Sequence, residues 1–170
     1  MPLTILTYPD PLLKRISQPV GEITDELRQL AADMAQAMYK ADGIGLAAPQ
    51  IGEAIRLVVV DVTGPDKREG LMTLINPRLT PIQGCGEAES EEGCLSVPNF
   101  RSKVKRCAKV RLEATDLDGK PIDMEAEGLL AICLQHEVDH LDGKLFIDHI
   151  SRLKRSLYDA KVRKRLAASR

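Results

Sequence analysis

Aromatic side chains are scarce in this sequence, and the markers of several protein classes are missing. It has no tryptophan, three tyrosines and two phenylalanines, so we expect an aliphatic core. The four cysteines form no Cys-x-x-Cys pair, which favours free thiols or single ligands over a disulfide framework. No apolar run approaches the roughly 18 residues that cross a bilayer, and the first residues lack the pattern of a signal peptide. We therefore predict a cytoplasmic protein with no membrane partner.

The composition, 44% hydrophobic and 29% charged, is typical of a folded protein and excludes a disordered chain. The length of 170 residues fits one domain, which we expect to span residues 1–170. The net charge of −1 hides an asymmetry, because residues 151–170 hold eight basic residues and one acidic residue. That segment carries +7 and leaves −8 on residues 1–150. A basic end on an acidic body favours a polyanionic partner, although a solvated helix face has the same composition.

Caps and apolar spacing predict three helices. Thr24-Asp25-Glu26 is a typical helix start, and the spacing that follows predicts a helix over residues 25–40. Residues 128–142 are apolar on nearly every side, which predicts a buried central helix that Gly143 caps. A last helix over residues 150–165 is predicted to carry its basic face above an apolar seam of Ile150, Leu153, Leu157 and Ala160.

Short apolar runs predict the strands. We expect strands at residues 57–61 and 71–75, the second ended by Asn76-Pro77, and a hairpin around Asp118-Gly119. The predicted fold class is α+β, with antiparallel or mixed sheets wrapped around the central helix, an N-terminal helix and a C-terminal helix. Residues 63–70 and 83–90 receive no role.

The sharpest motif is His136-Glu137-Val138-Asp139-His140 on the predicted buried helix. Positions four apart share one helix face, so two imidazoles can converge on one metal ion. The pKa of water on such an ion can fall towards ~7, where the Glu137 carboxylate could take its proton. Two buried histidines beside a buried glutamate would be costly without an ion, so we predict a metal site.

The third ligand is not evident downstream, because Phe146 stands where one zinc-peptidase pattern has its third histidine and no glutamate follows Glu137. The upstream candidates are cysteines. Cys107 begins a predicted alternating strand, and Cys133 is a full helical turn from the histidines. We favour Cys94, in a Glu-Glu-Gly-Cys segment, over Cys85. One thiolate and two imidazoles leave an open coordination position, as in catalytic sites.

A second dense motif is the loop of residues 43–52. Gly43, Gly45 and Ala48 match a dinucleotide-binding pattern, but the loop follows a helix and meets Pro49, so we reject a nucleotide site. We expect the glycines to let the backbone pass beside a bound peptide. Gln50 would offer an amide donor to a developing oxyanion.

Three ordered segments together resemble the peptide deformylases: Gly43-Ile-Gly-Leu-Ala-Ala-Pro-Gln50, Glu92-Gly-Cys-Leu-Ser96 and His136-Glu-Val-Asp-His140. The resemblance covers nearly the whole chain. It implies a metal-dependent amide hydrolase that removes the N-formyl group from formyl-methionine at the N-terminus of nascent polypeptides and releases formate. It also implies one divalent metal ion, Fe²⁺, with Zn²⁺, Ni²⁺ or Co²⁺ able to use the same ligands, whereas ligand chemistry alone suggests zinc.

The resemblance also implies roles for individual residues. The metal ligands would be Cys94, His136 and His140, the general base and acid Glu137, and the oxyanion donors the Gln50 amide and the Leu95 N–H. The methionine pocket would be lined by Ile44, Gly45, Leu129, Ile132 and Cys133, with Arg101 further along the peptide. Ser90 departs from the apolar residue expected at the pocket edge. Members with a long basic C-terminal helix dock it on ribosomal RNA, which implies the ribosome as a partner of residues 151–170.

Two other functions use the same motif. A metallopeptidase would share the ion and the base but cut peptide bonds. A metal-stabilised ribosome-binding module without catalysis would need a fourth protein ligand, for which Cys85 and His149 are the candidates.

Overall fold

The computed structural model describes residues 2–170, in which four helices and seven strands are found. The helices are α1 (Asp25–Lys40), α2 (Gly64–Lys67), α3 (Gly128–Leu141) and α4 (Arg152–Ala168), and 3₁₀ turns occupy Pro11–Lys14, Ala48–Ile51 and Phe146–Asp148. The strands are β1 (Gly45–Ala47), β2 (Leu57–Val60), β3 (Met72–Pro81), β4 (Glu87–Cys94), β5 (Val97–Cys107), β6 (Lys109–Thr115) and β7 (Pro121–Glu127). The predicted α+β class is confirmed. Within residues 2–170, every helix is too short or too polar to traverse a lipid bilayer.

The strands form two antiparallel sheets. Five strands pair in the order β1-β2-β3-β6-β7, and β4 pairs with β5 alone. Outside the named strands, one parallel bridge joins Gln18 and Ile55. The β6–β7 hairpin turns at the predicted Asp118-Gly119. Both β1 and β4 lie at the edge of their sheet, so each has one side without a strand partner among residues 2–170.

Helix α3 lies at the centre of the fold, as its composition predicts. Ala131, Leu134 and Leu141 have no exposed surface. Their neighbours in the core come from all five strands of the larger sheet, including its edge strands β1 and β7. The helix ends before Gly143, whose φ of +71° is the left-handed conformation of a helix-ending glycine. A Cβ at this position would also clash with the backbone carbonyl of Lys14. Glycine therefore serves both as the cap and as the contact with the N-terminal segment.

Helix α1 follows the predicted boundaries because its local signals agree with its packing. Thr24 Oγ1 accepts a hydrogen bond from Leu27 N at 3.2 Å, and acids occupy the first turn, where they stabilise the helix dipole. The buried stripe consists of Leu27, Ala31, Met34, Ala35, Met38 and Tyr39.

The predicted end of a strand at Asn76-Pro77 is wrong, because β3 continues to Pro81. The register with β6 shifts between Ile75 and Arg78, so a bulge accommodates the proline. Asn76 adopts a φ of +52°, and its side-chain amide exchanges two hydrogen bonds with the backbone of Val20 at 2.8 and 2.9 Å. A tertiary contact thus stabilises a conformation that the local sequence disfavours.

The structure has a hairpin of β4 and β5 in a region where the sequence analysis predicts no strands. Cys107 ends β5 instead of beginning a strand, and its backbone is held by the side-chain amide of Gln135 on α3 at 2.9 and 3.0 Å. Charged residues at outward positions obscure the alternating pattern of these strands. Residues 63–70, to which no role is assigned, contain the single turn α2.

The predicted apolar seam of the last helix is wrong at three of its four residues, because Leu153, Leu157 and Ala160 are exposed and only Ile150 packs against the core. Leu153 is 70% exposed and Leu157 is 58% exposed, whereas Tyr158 and Val162 are each 4% exposed. Aromatic residues outside the helix determine which face of α4 is buried. The ring centroid of Tyr158 lies 4.6 Å from that of Phe100. The helix also begins at Arg152 and extends to Ala168, slightly beyond its predicted range.

Replacing Val162 and Leu153 with alanine tests which face of α4 is packed. We expect Val162→Ala to lower the free energy of unfolding by about 1–3 kcal/mol, because it removes buried methyl groups. Leu153→Ala should change it by less than about 0.5 kcal/mol, since that side chain is largely in solvent. Urea unfolding measures both, and a larger loss for Leu153→Ala would contradict the observed packing.

Candidate metal centre and active-site pocket

Cys94, His136 and His140 meet where the end of β4 faces one side of α3. Their candidate ligand atoms all lie within 4.8 Å of one another, and Cys94 Sγ is 3.3 Å from His140 Nε2. The two imidazoles are one helical turn apart, and their ring centroids are separated by 5.1 Å. A thiolate and two imidazoles suit Zn²⁺ and other divalent transition-metal ions. These three residues could therefore hold a metal ion.

Unpartnered polar atoms in the same place test whether an ion fits. Glu137 Oε2 and His140 Nδ1 are buried and have no hydrogen-bond partner among the described residues. Such atoms are costly in a protein interior unless an ion or ordered water completes their surroundings. The donor set and the unpartnered oxygen of Glu137 together fit one divalent ion with an open position. The Nδ1 of His140 does not bear on this fit, because Nε2 is the nitrogen of that ring that lies near Cys94 Sγ.

Two local features bring Cys94 to α3. The register between β4 and β5 shifts between Glu92 and Cys94, which turns the end of β4. Gly93 lies against the side chain of Arg101, whose NH1 would be 2.7 Å from a Cβ added at this glycine. A side chain at position 93 would displace the flexible end of Arg101, which is largely exposed.

Glu92, which the sequence analysis did not single out, orients His136. Its Oε1 lies 2.9 Å from His136 Nδ1, and Arg106 donates two hydrogen bonds to the carboxylate at 2.8 and 2.9 Å. Burial alone would raise the pKa of Glu92, but the bonds from Arg106 and His136 lower it to about 2. An ionised carboxylate can only accept, so Nδ1 of His136 carries a proton, and Nε2 is the ring nitrogen through which His136 could bind an ion.

Arg106 connects this pair to a second carboxylate. It is 6% exposed, and its NH1 donates to Asp139 Oδ2 at 2.6 Å. Only the structure shows its inward position, because Ser102, Val104 and Arg106 alternate on the buried face of β5. An arginine at a core-facing strand position requires buried carboxylate partners.

Glu137, between the two histidines, is the most deeply enclosed acid of the site. It is 4% exposed, and burial raises its pKa to about 7. A Cβ at Gly45 would lie 2.8 Å from Cδ of Glu137 and would clash with its carboxylate oxygen. The second glycine of the predicted loop thus provides the space in which this carboxyl group lies.

Gln50 presents its amide nitrogen to the same centre. Its Oε1 accepts a hydrogen bond from Ala47 N at 2.9 Å, which fixes the orientation of the amide. Its Nε2 then faces Ser96 Oγ at 3.0 Å and Cys94 Sγ at 3.6 Å. The buried hydroxyl of Ser96 is a further contact that the sequence analysis missed.

A pocket of about 730 Å³ opens beside these groups. All the residues predicted to bind substrate line it: Ile44, Gly45, Arg101, Leu129, Ile132 and Cys133. Gln50, Leu95, Cys94, His136 and Glu137 line it too, and so does Ser90. Leu129 is 54% exposed, so it forms the rim of the pocket, while Cys133 is buried. The pocket therefore combines an apolar wall with the candidate metal centre.

The candidates for a fourth protein ligand lie elsewhere. The thiol of Cys85 contacts the carbonyl oxygens of Gly86 and Lys109 at 3.3 and 3.5 Å. His149 Nε2 lies 2.8 Å from Asp139 Oδ2. In the described part of the chain, the metal-ligating cluster thus consists of three residues. This arrangement does not provide the closed site that a purely structural ion requires.

Three ligands, an open position and an adjacent buried carboxyl group define the class of metal-dependent hydrolases. Comparisons with known proteins make the assignment more specific. The sequence profile of the family described as polypeptide deformylase matches residues 2–156. The peptide deformylase of Acinetobacter baumannii (strain SDF) is 51% identical over 162 residues, which cover 95% of this chain and 90% of the relative.

Solved structures agree. The crystal structure of a peptide deformylase from Legionella pneumophila has a TM-score of 0.89 at 45% identity and covers 100% of this chain and 99% of its own. That of a peptide deformylase from Synechococcus elongatus in complex with actinonin has a TM-score of 0.88 at 41% identity, with coverages of 94% and 87%. The chain belongs to the polypeptide deformylase family, a family of hydrolases, and the resemblance stated from its motifs is confirmed.

Replacing Arg106 tests the buried network, and Arg78 provides a matched control on the surface. Arg106→Met leaves Glu92 and Asp139 without their shared cation, so we expect the free energy of unfolding to fall by about 3–5 kcal/mol. Arg78 also donates two hydrogen bonds to one glutamate, Glu113, but its side chain is 74% exposed. Arg78→Met should cost less than about 1 kcal/mol. Equal losses in urea unfolding of the metal-free variants would contradict the buried role of Arg106.

Proposed function

We propose that this protein hydrolyses the N-formyl group of formyl-methionine at the N-terminus of nascent polypeptides and releases formate. The observation that carries the proposal is the cluster of Cys94, His136 and His140, of which Cys94 and His136 line the pocket, with an unpartnered oxygen of the pocket residue Glu137. Family membership supports the same reaction.

The proposed metal ligands are Cys94, His136 and His140, and the proposed ion is Fe²⁺. An ion held there would polarise the formyl oxygen and lower the pKa of a water molecule. The family resemblance supports iron, while the thiolate and two imidazoles also suit Zn²⁺, Ni²⁺ and Co²⁺. Metal analysis of protein purified without oxygen distinguishes these ions.

We assign proton transfer to Glu137. Burial brings the pKa of this carboxyl group to about 7, where it can both accept and return a proton at neutral pH. Its Oε2 would take a proton from the attacking water and deliver it to the amide nitrogen as the bond between that nitrogen and the formyl carbon breaks. The water oxygen stays on the formyl carbon, so the products are formate and a free amino terminus.

We assign stabilisation of the developing oxyanion to the Gln50 amide and the Leu95 N–H. The bond from Ala47 N holds the Gln50 oxygen away from the substrate and presents the Nε2 hydrogens. A donor that is already oriented stabilises charge without reorganising during the reaction, which is the basis of oxyanion holes.

We assign the methionine side chain to the apolar wall of Ile44, Gly45, Leu129, Ile132 and Cys133. The free edges of β1 and β4 both border the pocket, so an extended peptide could bond to either strand as an added strand. Arg101, at the outer end of the pocket, would contact the peptide beyond its first residue.

We also propose that residues 1–170 act as one catalytic domain, since pocket residues come from both sheets and α3. We propose further that the enzyme works in the cytoplasm, where formylated chains emerge.

Formate release from a formyl-Met peptide tests the proposed reaction. The parent protein should release formate, and Gln50→Leu should lower kcat by about 10²–10³-fold while metal content is unchanged. Gln36→Leu is the control, because Gln36 is an exposed glutamine on α1. Cleavage of the Met–X peptide bond without formate would indicate a metallopeptidase instead, and full activity of Gln50→Leu would remove Gln50 from the mechanism.

We further propose that α4 binds ribosomal RNA. Lys161, Arg163 and Lys164 are all exposed, and a basic helix binds RNA phosphates electrostatically. Tyr158 and Val162 anchor the opposite face to the core, so the basic face is held at the surface.

Charge reversal tests this partner without removing the helix, whose buried face contributes to the core. The combined variant Lys161→Glu, Arg163→Glu and Lys164→Glu should weaken ribosome co-sedimentation at low salt by at least about tenfold, with less dependence on salt. Lys103→Glu with Lys105→Glu is the control, since both lysines are exposed on β5. Unchanged sedimentation of the α4 variant would refute the proposal.

A further inference from the structure

The network around His136 ends in a partly exposed side chain, His149. This residue lies between the 3₁₀ turn Phe146–Asp148 and α4, and its side chain is 37% exposed. Its Nε2 nevertheless lies 2.8 Å from Asp139 Oδ2 and 3.5 Å from Arg106 NH1. An exposed imidazole thus contacts the groups that hold the oriented metal-site histidine.

The donors along this network have only one consistent arrangement. Asp139 Oδ2 already accepts from Arg106 NH1, and an ionised carboxylate has no proton to give. The Nε2 of His149 must therefore carry the hydrogen that it shares with Asp139. At the inner end, Glu92 Oε1 accepts from both Arg106 NH2 and His136 Nδ1, at 2.8 and 2.9 Å.

Because Arg106 and His136 donate to the same oxygen of Glu92, a movement of one side chain affects the other. Any rotation of the Arg106 guanidinium moves the oxygen that fixes the imidazole of His136. The guanidinium is restrained by Glu92 on one side and by Asp139 on the other. Asp139 is 20% exposed, so its carboxylate can turn towards water, and the hydrogen bond from His149 opposes that rotation.

We infer that His149 is a positioning residue, which acts through Asp139, Arg106 and Glu92 to hold His136 in its metal-binding orientation. The inference rests on the metal site of the proposed function. Its consequence is kinetic and thermodynamic: without the outermost hydrogen bond the His136 ring is less restrained, and the ion leaves faster.

Cobalt provides the probe, since Co²⁺ bound to a thiolate absorbs visible light. The protein is loaded with Co²⁺, mixed with excess EDTA, and the loss of absorption is followed. We expect His149→Ala to release cobalt about 3–10-fold faster than the parent and Asp139→Asn about 10–100-fold faster. His149→Gln should restore the slow rate, because the glutamine amide can place an N–H near the position of Nε2. A residue that only fills space would be replaced equally well by any side chain of similar size, so His149→Met should behave like His149→Ala.

Lys144→Ala is the control, because Lys144 is an exposed residue of the same loop, and it should release cobalt at the parent rate. Urea midpoints of the metal-free proteins show that every variant is folded. Parent-like release by His149→Ala, or equal rates for His149→Gln and His149→Met, would overturn the inference. Formate release by the same cobalt-loaded parent is measured in parallel, so failure of the proposed reaction is distinguished from failure of the role of His149.

Discussion

The candidate metal centre depends on keeping one carboxylate ionised inside the protein. Glu92 is 5% exposed, and an isolated charge there would be prohibitively costly. Arg106 makes it possible by donating two parallel hydrogen bonds to the carboxylate. Because Glu92 is ionised, it can only accept from His136, and this fixes which ring nitrogen of His136 is available to an ion. The orientation of His136 towards an ion thus begins with an ion pair whose two members are not part of the candidate ligand cluster.

The same ion pair joins the two parts of the fold that supply the candidate metal ligands. Glu92 and Arg106 belong to the β4–β5 hairpin, while His136 and Asp139 belong to α3. Neither element forms a site alone, since the hairpin contributes one thiol and the helix two imidazoles. Strand β1 also packs against α3, and Gly45 in that strand has no side chain, which leaves room for the carboxyl group of Glu137.

The few aromatic residues are concentrated where α4 meets this centre. Tyr8, Phe100, Phe146 and Tyr158 form one cluster, with centroid separations of 4.6 to 6.0 Å. Phe146 also stacks on His136 at 6.0 Å. The cluster anchors one face of α4 against the core and leaves its basic face, with Leu153 and Leu157, in solvent. One face of α4 is therefore packed against the rest of the protein, and the opposite face is exposed to solvent.

Local signals in the sequence determined α1, the β6–β7 hairpin, the buried helix α3 with its Gly143 cap, and the spacing that puts His136 and His140 on one face. The three ordered motifs also determined the family, because their residues follow from the chemistry of the site. Tertiary structure decided the rest: Asn76 takes its bulge conformation from Val20, and α4 buries Tyr158 instead of Leu157 because aromatic partners lie on that side. Glu92, Arg106 and Asp139 join only after β5 lies against α3, since hydrogen bonds between residues 14 and 33 positions apart leave no periodic trace along the chain.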